Sequence, residues 1–192
     1  MKIDWSTIEL RDFAALVSEK LRQGGVETIL VGGACVSIYT RNRYQSHDID
    51  LVTSATVKSV VPLLSELGFH RKKTRHFSRE GCPYFVDFVA PPAALGSEPV
   101  IDRNVIKTRL GQIVMLTATD SVKDRLAAYY HWKDPQSFEQ AVLIAETNEI
   151  NLEEVERWSH TEGQEERYLV FFKRLGKHYR TGVTGNKRAS TA

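Results

Sequence analysis

From Thr28 to Thr53 the chain reads T-I-L-V-G-G-A-C-V-S-I-Y-T-R-N-R-Y-Q-S-H-D-I-D-L-V-T. A short apolar run, Thr28 to Val31, closes on Gly32-Gly33; a helical interval, Ala34 to Thr40, and a polar loop, Arg41 to His47, lead into a strand from Asp48 to Val52. Side chains alternate faces along a strand, so Asp48 and Asp50 share one face while Ile49 and Leu51 take the other. Two carboxylates on one face, roughly 7 Å apart, repel each other, and a divalent cation that prefers oxygen ligands relieves the repulsion. The glycine pair sits between strand and helix, where backbone N–H groups face an anion and where a side chain would obstruct a phosphate. Ser46, two residues before Asp48, adds a hydroxyl that can donate to a phosphate oxygen.

The rest of the composition bounds the possibilities. A chain of 192 residues fits one domain, or one domain with a small helical extension, and can bury a core. A hydrophobic fraction of 42% with 26% charged residues is ordinary for a soluble globular protein, and a net charge of +2 is too small to imply nucleic-acid or membrane binding by itself. Cys35 and Cys82 suit a reducing compartment and form no metal-ligand pair. The opening M-K-I-D-W-S has no signal-type apolar core and no run reaches spanning length, so the expected location is the cytoplasm, without a membrane partner.

Upstream of the glycine turn, Ser6 is expected to cap a helix over residues 7–23, with Ile8, Leu10, Phe13, Leu16, Val17 and Leu21 at helical spacing and Gly24-Gly25 as its stop. Downstream, Thr53 or Ser54 is expected to cap a helix over 56–67 that Gly68 ends. Glu80-Gly81-Cys82-Pro83 is turn chemistry, which predicts a hairpin of strands near 69–78 and 84–89, ended by Pro91-Pro92. Residues 93–104 read as a loop, followed by a hairpin of 105–108 and 112–116 around Leu110-Gly111. From Thr119 onward the pattern is helical, over about 120–132, 136–147, 152–160 and 164–177, and the polar tail from Arg180 is expected to be disordered. The organisation read from this is an α/β core over 1–117, a helical region over 118–179 and a tail over 180–192.

The run Y-F-V-D-F-V, residues 84–89, is apolar on both faces except at Asp87. A carboxylate there is costly to bury unless it is paired or bound to metal. Taken alone it reads either as an ion-pair partner for an arginine or as a third ligand. If its strand lies beside Asp48-Ile49-Asp50, three carboxylates converge. They then supply ligands for one or two Mg²⁺ ions holding a nucleoside triphosphate, with Asp87 placed to take a proton from a hydroxyl. A D-x-D or a Gly-Gly turn alone carries little; their order, spacing and strand context carry more.

The sequence of G-G, then S-x-D-I-D-L, then V-D-F resembles the signature of the nucleotidyltransferase superfamily, and most resembles small bacterial proteins related to the AbiE toxins. The segment T-D-S-V-K-D-R-L-A-A-Y-Y-H-W-K-D resembles the helical continuation of that group, so the resemblance covers about residues 27–147. It implies an α/β (α+β) fold: a polymerase-β-like, nucleotidyltransferase-like mixed sheet flanked by helices, with a C-terminal helical region. It implies Asp48 and Asp50 as metal ligands, Asp87 as third carboxylate and base, and Gly32, Gly33 and Ser46 beside the nucleotide. The group's helix lysine falls where this chain has Arg125 before Leu126, with Lys123 nearby; an arginine keeps the charge but carries no proton. Asp134 falls near the group's later acidic motif. The implied reaction is attack of a hydroxyl on the α-phosphate of an NTP with loss of pyrophosphate, Arg125 or Lys123 neutralising the leaving phosphates and Mg²⁺ as cofactor. The acceptor is an RNA end, a protein side chain or a small molecule, and a toxin–antitoxin role is implied as one possibility. The alternative is a non-catalytic binding module that keeps the fold and holds a protein or nucleic acid.

Four other features have a plain structural explanation. The basic run His70 to Arg79 suits an RNA acceptor or a triphosphate, or simply a sheet edge protected by charge. His47, His70, His76, His131, His160 and His178 show no metal-ligand spacing, and most are expected at the surface. Tyr129, Tyr130 and Trp132 are expected to pack the helical half, and the Glu-rich 153–166 to form a solvated helix face.

Overall fold

The structure, a computed structural model, describes residues 3–183, with side chains through residue 176. In chain order the elements are α1 (Leu10–Gln23), β1 (Ile29–Val31), α2 (Gly33–Tyr39), β2 (Asp48–Val52), α3 (Val57–Glu66), β3 (His70–Lys73), β4 (His76–Ser78) and β5 (Phe85–Val89). They continue with β6 (Ala94–Leu95), β7 (Glu98–Pro99), β8 (Asn104–Thr108), β9 (Gly111–Met115), α4 (Ala118–Trp132), α5 (Pro135–Thr147), α6 (Leu152–Thr161) and α7 (Glu165–Val183). Seven strands form one mixed sheet in the order β3-β4-β5-β2-β1-β9-β8, and β6 and β7 pair as a separate ribbon. Within the main sheet β2/β5 and β1/β9 are parallel and the other neighbours antiparallel.

α1 buries Leu10, Phe13, Ala14, Val17 and Leu21, a stripe at helical spacing that lies along β9. The helix starts later than the predicted Ser6 cap. Ser6 donates its hydroxyl and its backbone N–H to Asp4 instead, and Glu9 stands at the N-cap without a side-chain bond. Neither candidate caps α3: Thr56 holds that position, while Thr53 donates to the Glu27 carbonyl. The strand predicted near 69–78 is two strands. Arg71 Nε donates to the carbonyls of Lys73 and Thr74 at 3.2 and 3.0 Å, tying a turn that folds the exposed β3 back on β4. Between buried Phe69 and buried Phe77 the core holds neither side of β3, all four of whose residues are exposed. The expected loop 93–104 contains the β6–β7 ribbon, whose two-residue strands are too short for any periodicity to show. Leu95 anchors it by accepting a hydrogen bond from buried Trp158 at 2.9 Å.

Three of the four C-terminal helices, α4, α5 and α6, begin on well-formed caps. Thr117, Asp134 and Asn151 each accept a backbone N–H of the following turn at 3.0 Å. Asp134, near the expected later acidic motif, therefore caps α5, and the Ser137 hydroxyl bonded to it holds its carboxyl below the usual range. α5 packs along α4 and against α2, and α7 packs on α5 and α6. Tyr130 stacks on Trp158 and Tyr129 meets Phe138, as expected of aromatics at helix spacing. Trp132 departs from that expectation and is 76% exposed, because two residues on from Tyr130 a helix has turned about 200°. One buried cluster runs from Leu10 through the sheet to Leu175, joining the two halves of the chain. No helix among the described residues is long and apolar enough to cross a membrane. Of the expected tail, residues 184–192 lie outside the described residues.

Candidate active site

The site is built from the sheet's central pair. β2 and β5 run parallel with Ile49 opposite Val86 and Asp50 opposite Asp87. Ile49, Leu51 and Val86 are fully buried, and they pull their alternating neighbours Asp48, Asp50 and Asp87 to the other face. One oxygen from each of the three carboxylates lies within 4.8 Å of the others. Burial, with the charges of Asp48 and Asp87 added, pushes the Asp50 carboxyl up to about 6, and Arg125 opposes this in part. Three hard oxygen donors converging on one point form a set suited to a divalent cation such as Mg²⁺.

Beside them, β1 ends at Gly32 in a conformation, φ +72° and ψ −150°, open in practice only to glycine. A Cβ there would stand 2.6 Å from Asp50 Oδ2, so the turn carries no side chain because the carboxylate occupies that space. At Gly33 a Cβ would meet the Ser46 hydroxyl at 3.0 Å and the Tyr44 hydroxyl at 3.5 Å. Ser46, expected at a phosphate, donates its hydroxyl to Asp48 Oδ1 at 2.7 Å, and its own N–H is taken by Ser37 Oγ at 2.9 Å.

The two cations of α4 part company. Lys123 and Arg125 lie about 200° apart around the helix. Buried Lys123 turns to α6, with Nζ 2.5 Å from Glu154 and 3.5 Å from Asp120. Arg125 donates to Asp124 through Nη2 and Nε at 2.6 and 2.9 Å and to Gln140 at 3.4 Å, and its charge acts on Asp50.

Asp87 has a partner that sequence reasoning did not assign to the site. His76 is its cross-strand neighbour on β4, and His76 Nδ1 lies 2.9 and 3.0 Å from the two Asp87 oxygens. The His76 ring also sits 5.0 Å from that of Phe85. Alternation with buried Phe77 could have put His76 on the site face, but nothing local names the residue opposite it. The basic β3 forms the sheet edge with all four residues exposed, two strands from β5.

No family model matches the chain, and no curated protein matches it by sequence. Solved structures do match. An antigenic nucleotidyltransferase-like protein from Paracoccidioides brasiliensis superposes with a TM-score of 0.54 at 13% identity, over 71% of this chain and 75% of its own. The antibiotic-resistance factor ANT(2'')-Ia in solution superposes at 0.50 with 13% identity, over 93% of this chain and 100% of its own. The crystal structure of ANT(2'')-Ia with adenylyl-2''-tobramycin gives 0.44 at 12% identity, over 88% and 95%. Likeness at such identity speaks for architecture, and the seven-stranded mixed sheet with its flanking helices has the nucleotidyltransferase-like fold.

Proposed function

We propose that this protein moves a nucleotidyl group from a nucleoside triphosphate to a hydroxyl acceptor, in the manner of the AbiE-toxin-like nucleotidyltransferases that its motifs resemble. The observation that carries this reading is the convergence of Asp48, Asp50 and Asp87 within 4.8 Å, directly against the bare turn at Gly32. Those three residues would hold Mg²⁺, which when bound neutralises and orients the phosphates.

The chain's own groups account for the rest. The Gly32-Gly33 turn, bare because Asp50 and Ser46 fill the space beside it, offers its backbone N–H groups to the triphosphate, and Ser46 holds the Asp48 carboxylate in orientation. Arg125 offsets charge on the leaving phosphates; Lys123, engaged by Glu154 and Asp120, holds α6 to α4. Asp87 takes the proton of the acceptor hydroxyl as its oxygen bonds to the α-phosphorus, and the bond to pyrophosphate breaks. The acceptor classes are an RNA end, a protein side chain and a small molecule, and the resemblance to the AbiE group makes a toxin–antitoxin component one role to test.

Incubation with each α-labelled NTP, Mg²⁺ and total RNA or protein should label one acceptor class. Asp50→Asn and Asp87→Asn should each reduce labelling at least about a hundredfold. Transfer by Asp50→Asn at the wild-type rate would falsify the assignment. One observation favours a second reading, a binding module without turnover: Arg125 is tied to Asp124 and stands where the resembled group has a lysine. Binding of ATP and Mg²⁺ that Asp48→Ala abolishes, without any transfer, would support that reading.

A further inference from the structure

The geometry points to His76 as the positioning residue of Asp87, an inference that rests on the cation site proposed above. Strand chemistry puts the histidine there. Phe77 is 1% exposed and packs edge-on against Phe88 with ring centroids 5.7 Å apart, which fixes the rotation of β4 and turns His76 to the opposite face. Phe77 pairs with Val86, so His76 falls opposite Asp87.

The carboxylate of Asp87 is flanked on its other side by Asp50, its parallel-register partner, and by Asp48. Left alone, a carboxylate beside two like charges rotates toward water. A donor on the far side counters that. His76 Nδ1 reaches both oxygens at 2.9 and 3.0 Å, and because a carboxylate accepts, the imidazole proton toward it sits on Nδ1. The ring itself is braced by Phe85, whose strand position is opposite Asp48. A hydrogen-bonded partner behind a ligating carboxylate sharpens cation binding, and its loss commonly costs about tenfold or more in affinity. His76 thus keeps the third carboxylate turned toward the other two before a cation arrives, and aims the same group at the acceptor hydroxyl afterwards.

Titration of the nucleotide-free protein with Mn²⁺, read by the signal of the free ion, separates the donor from the ring. His76→Phe keeps an aromatic ring on Phe85 and removes the donor; it should bind Mn²⁺ about tenfold more weakly. His76→Asn returns a donor near the same place and should recover to within about threefold of wild type. In transfer assays His76→Phe should lower kcat with little change in KM for the NTP, and the double variant with Asp87→Asn should be no worse than Asp87→Asn alone. Wild-type Mn²⁺ affinity in His76→Phe, or an equal loss in His76→Asn, overturns the inference. So does a loss in the double variant that adds to that of Asp87→Asn. If Asp50→Asn and Asp87→Asn also bind Mn²⁺ like wild type, it is the cation site that fails; if they lose binding while His76→Phe keeps it, only the role of His76 does.

Discussion

At the scale of single residues, Asp50 sets the pH behaviour of the site. Its carboxyl is pushed up to about 6 from 3.8 by burial first, then by Asp48 and Asp87. A folded-state value above the unfolded one means that the native state keeps the proton longer, so this stabilisation is complete below about pH 4 and is lost as pH rises through 6. With a chelator present, the unfolding midpoint should therefore fall between pH 4 and 6 by the equivalent of up to about 3 kcal/mol, and Asp50→Asn should remove the fall. Added Mn²⁺ should reverse the trend above pH 6, where the carboxylate is free to bind. Gly32 is the second decisive residue. Gly32→Ala asks alanine to hold φ +72° and places a methyl against Asp50 Oδ2, so it should cost about 1–3 kcal/mol in denaturant melts and nearly all Mn²⁺ binding.

At the scale of elements, β4 is a short strand with a large consequence. Phe77→Ala should destabilise the protein by about 3–5 kcal/mol, since the ring is fully enclosed, and should loosen the register that faces His76 with Asp87. α4 works through two faces. Arg125→Met should raise KM for the NTP about tenfold, because the charge proposed to face the phosphates is gone. Lys123→Met, which leaves Asp120 and Glu154 without their buried ammonium, should leave that KM within about twofold but cost about 3 kcal/mol or more in stability. Steady-state kinetics on the pair distinguishes the two faces, and equal losses would remove the division of labour between them.

At the scale of the whole molecule, the helical half is locked to the sheet by apolar burial and to the β6–β7 ribbon by a chain of ion pairs. Arg157 bridges Glu98 of the ribbon and Glu154 of α6, and Glu154 meets Lys123 of α4. The Arg157 hydrogen bond, with Lys123 beside it, holds Glu154 down to about 2. A depressed folded-state value stabilises above about pH 4.5 and is lost as pH falls through 2, so Glu154→Gln should flatten the acid limb of a pH-stability profile. The buried cluster passes without a break from α1 to α7. Calorimetry should accordingly show one cooperative transition for the full chain, and a fragment ending at residue 117 should show none.

Strand alternation and glycine chemistry are local, and they were legible along the chain. Period-two patterning put Asp48 and Asp50 on one face, the composition around Asp87 marked a strand fit for the middle of a sheet, and the helices after Thr119 announced themselves by spacing. What no local pattern carries is the identity of the opposite residue. His76 behind Asp87, Lys123 turned to Glu154, and the pairing of the basic β3 and β4 at the sheet edge all depend on which segment packs across from which. His76 and Asp87 stand 11 positions apart and Lys123 and Glu154 31, and the first pairing is selected by the burial of Phe77, Ile49 and Val86, a property of the assembled sheet and not of any one strand.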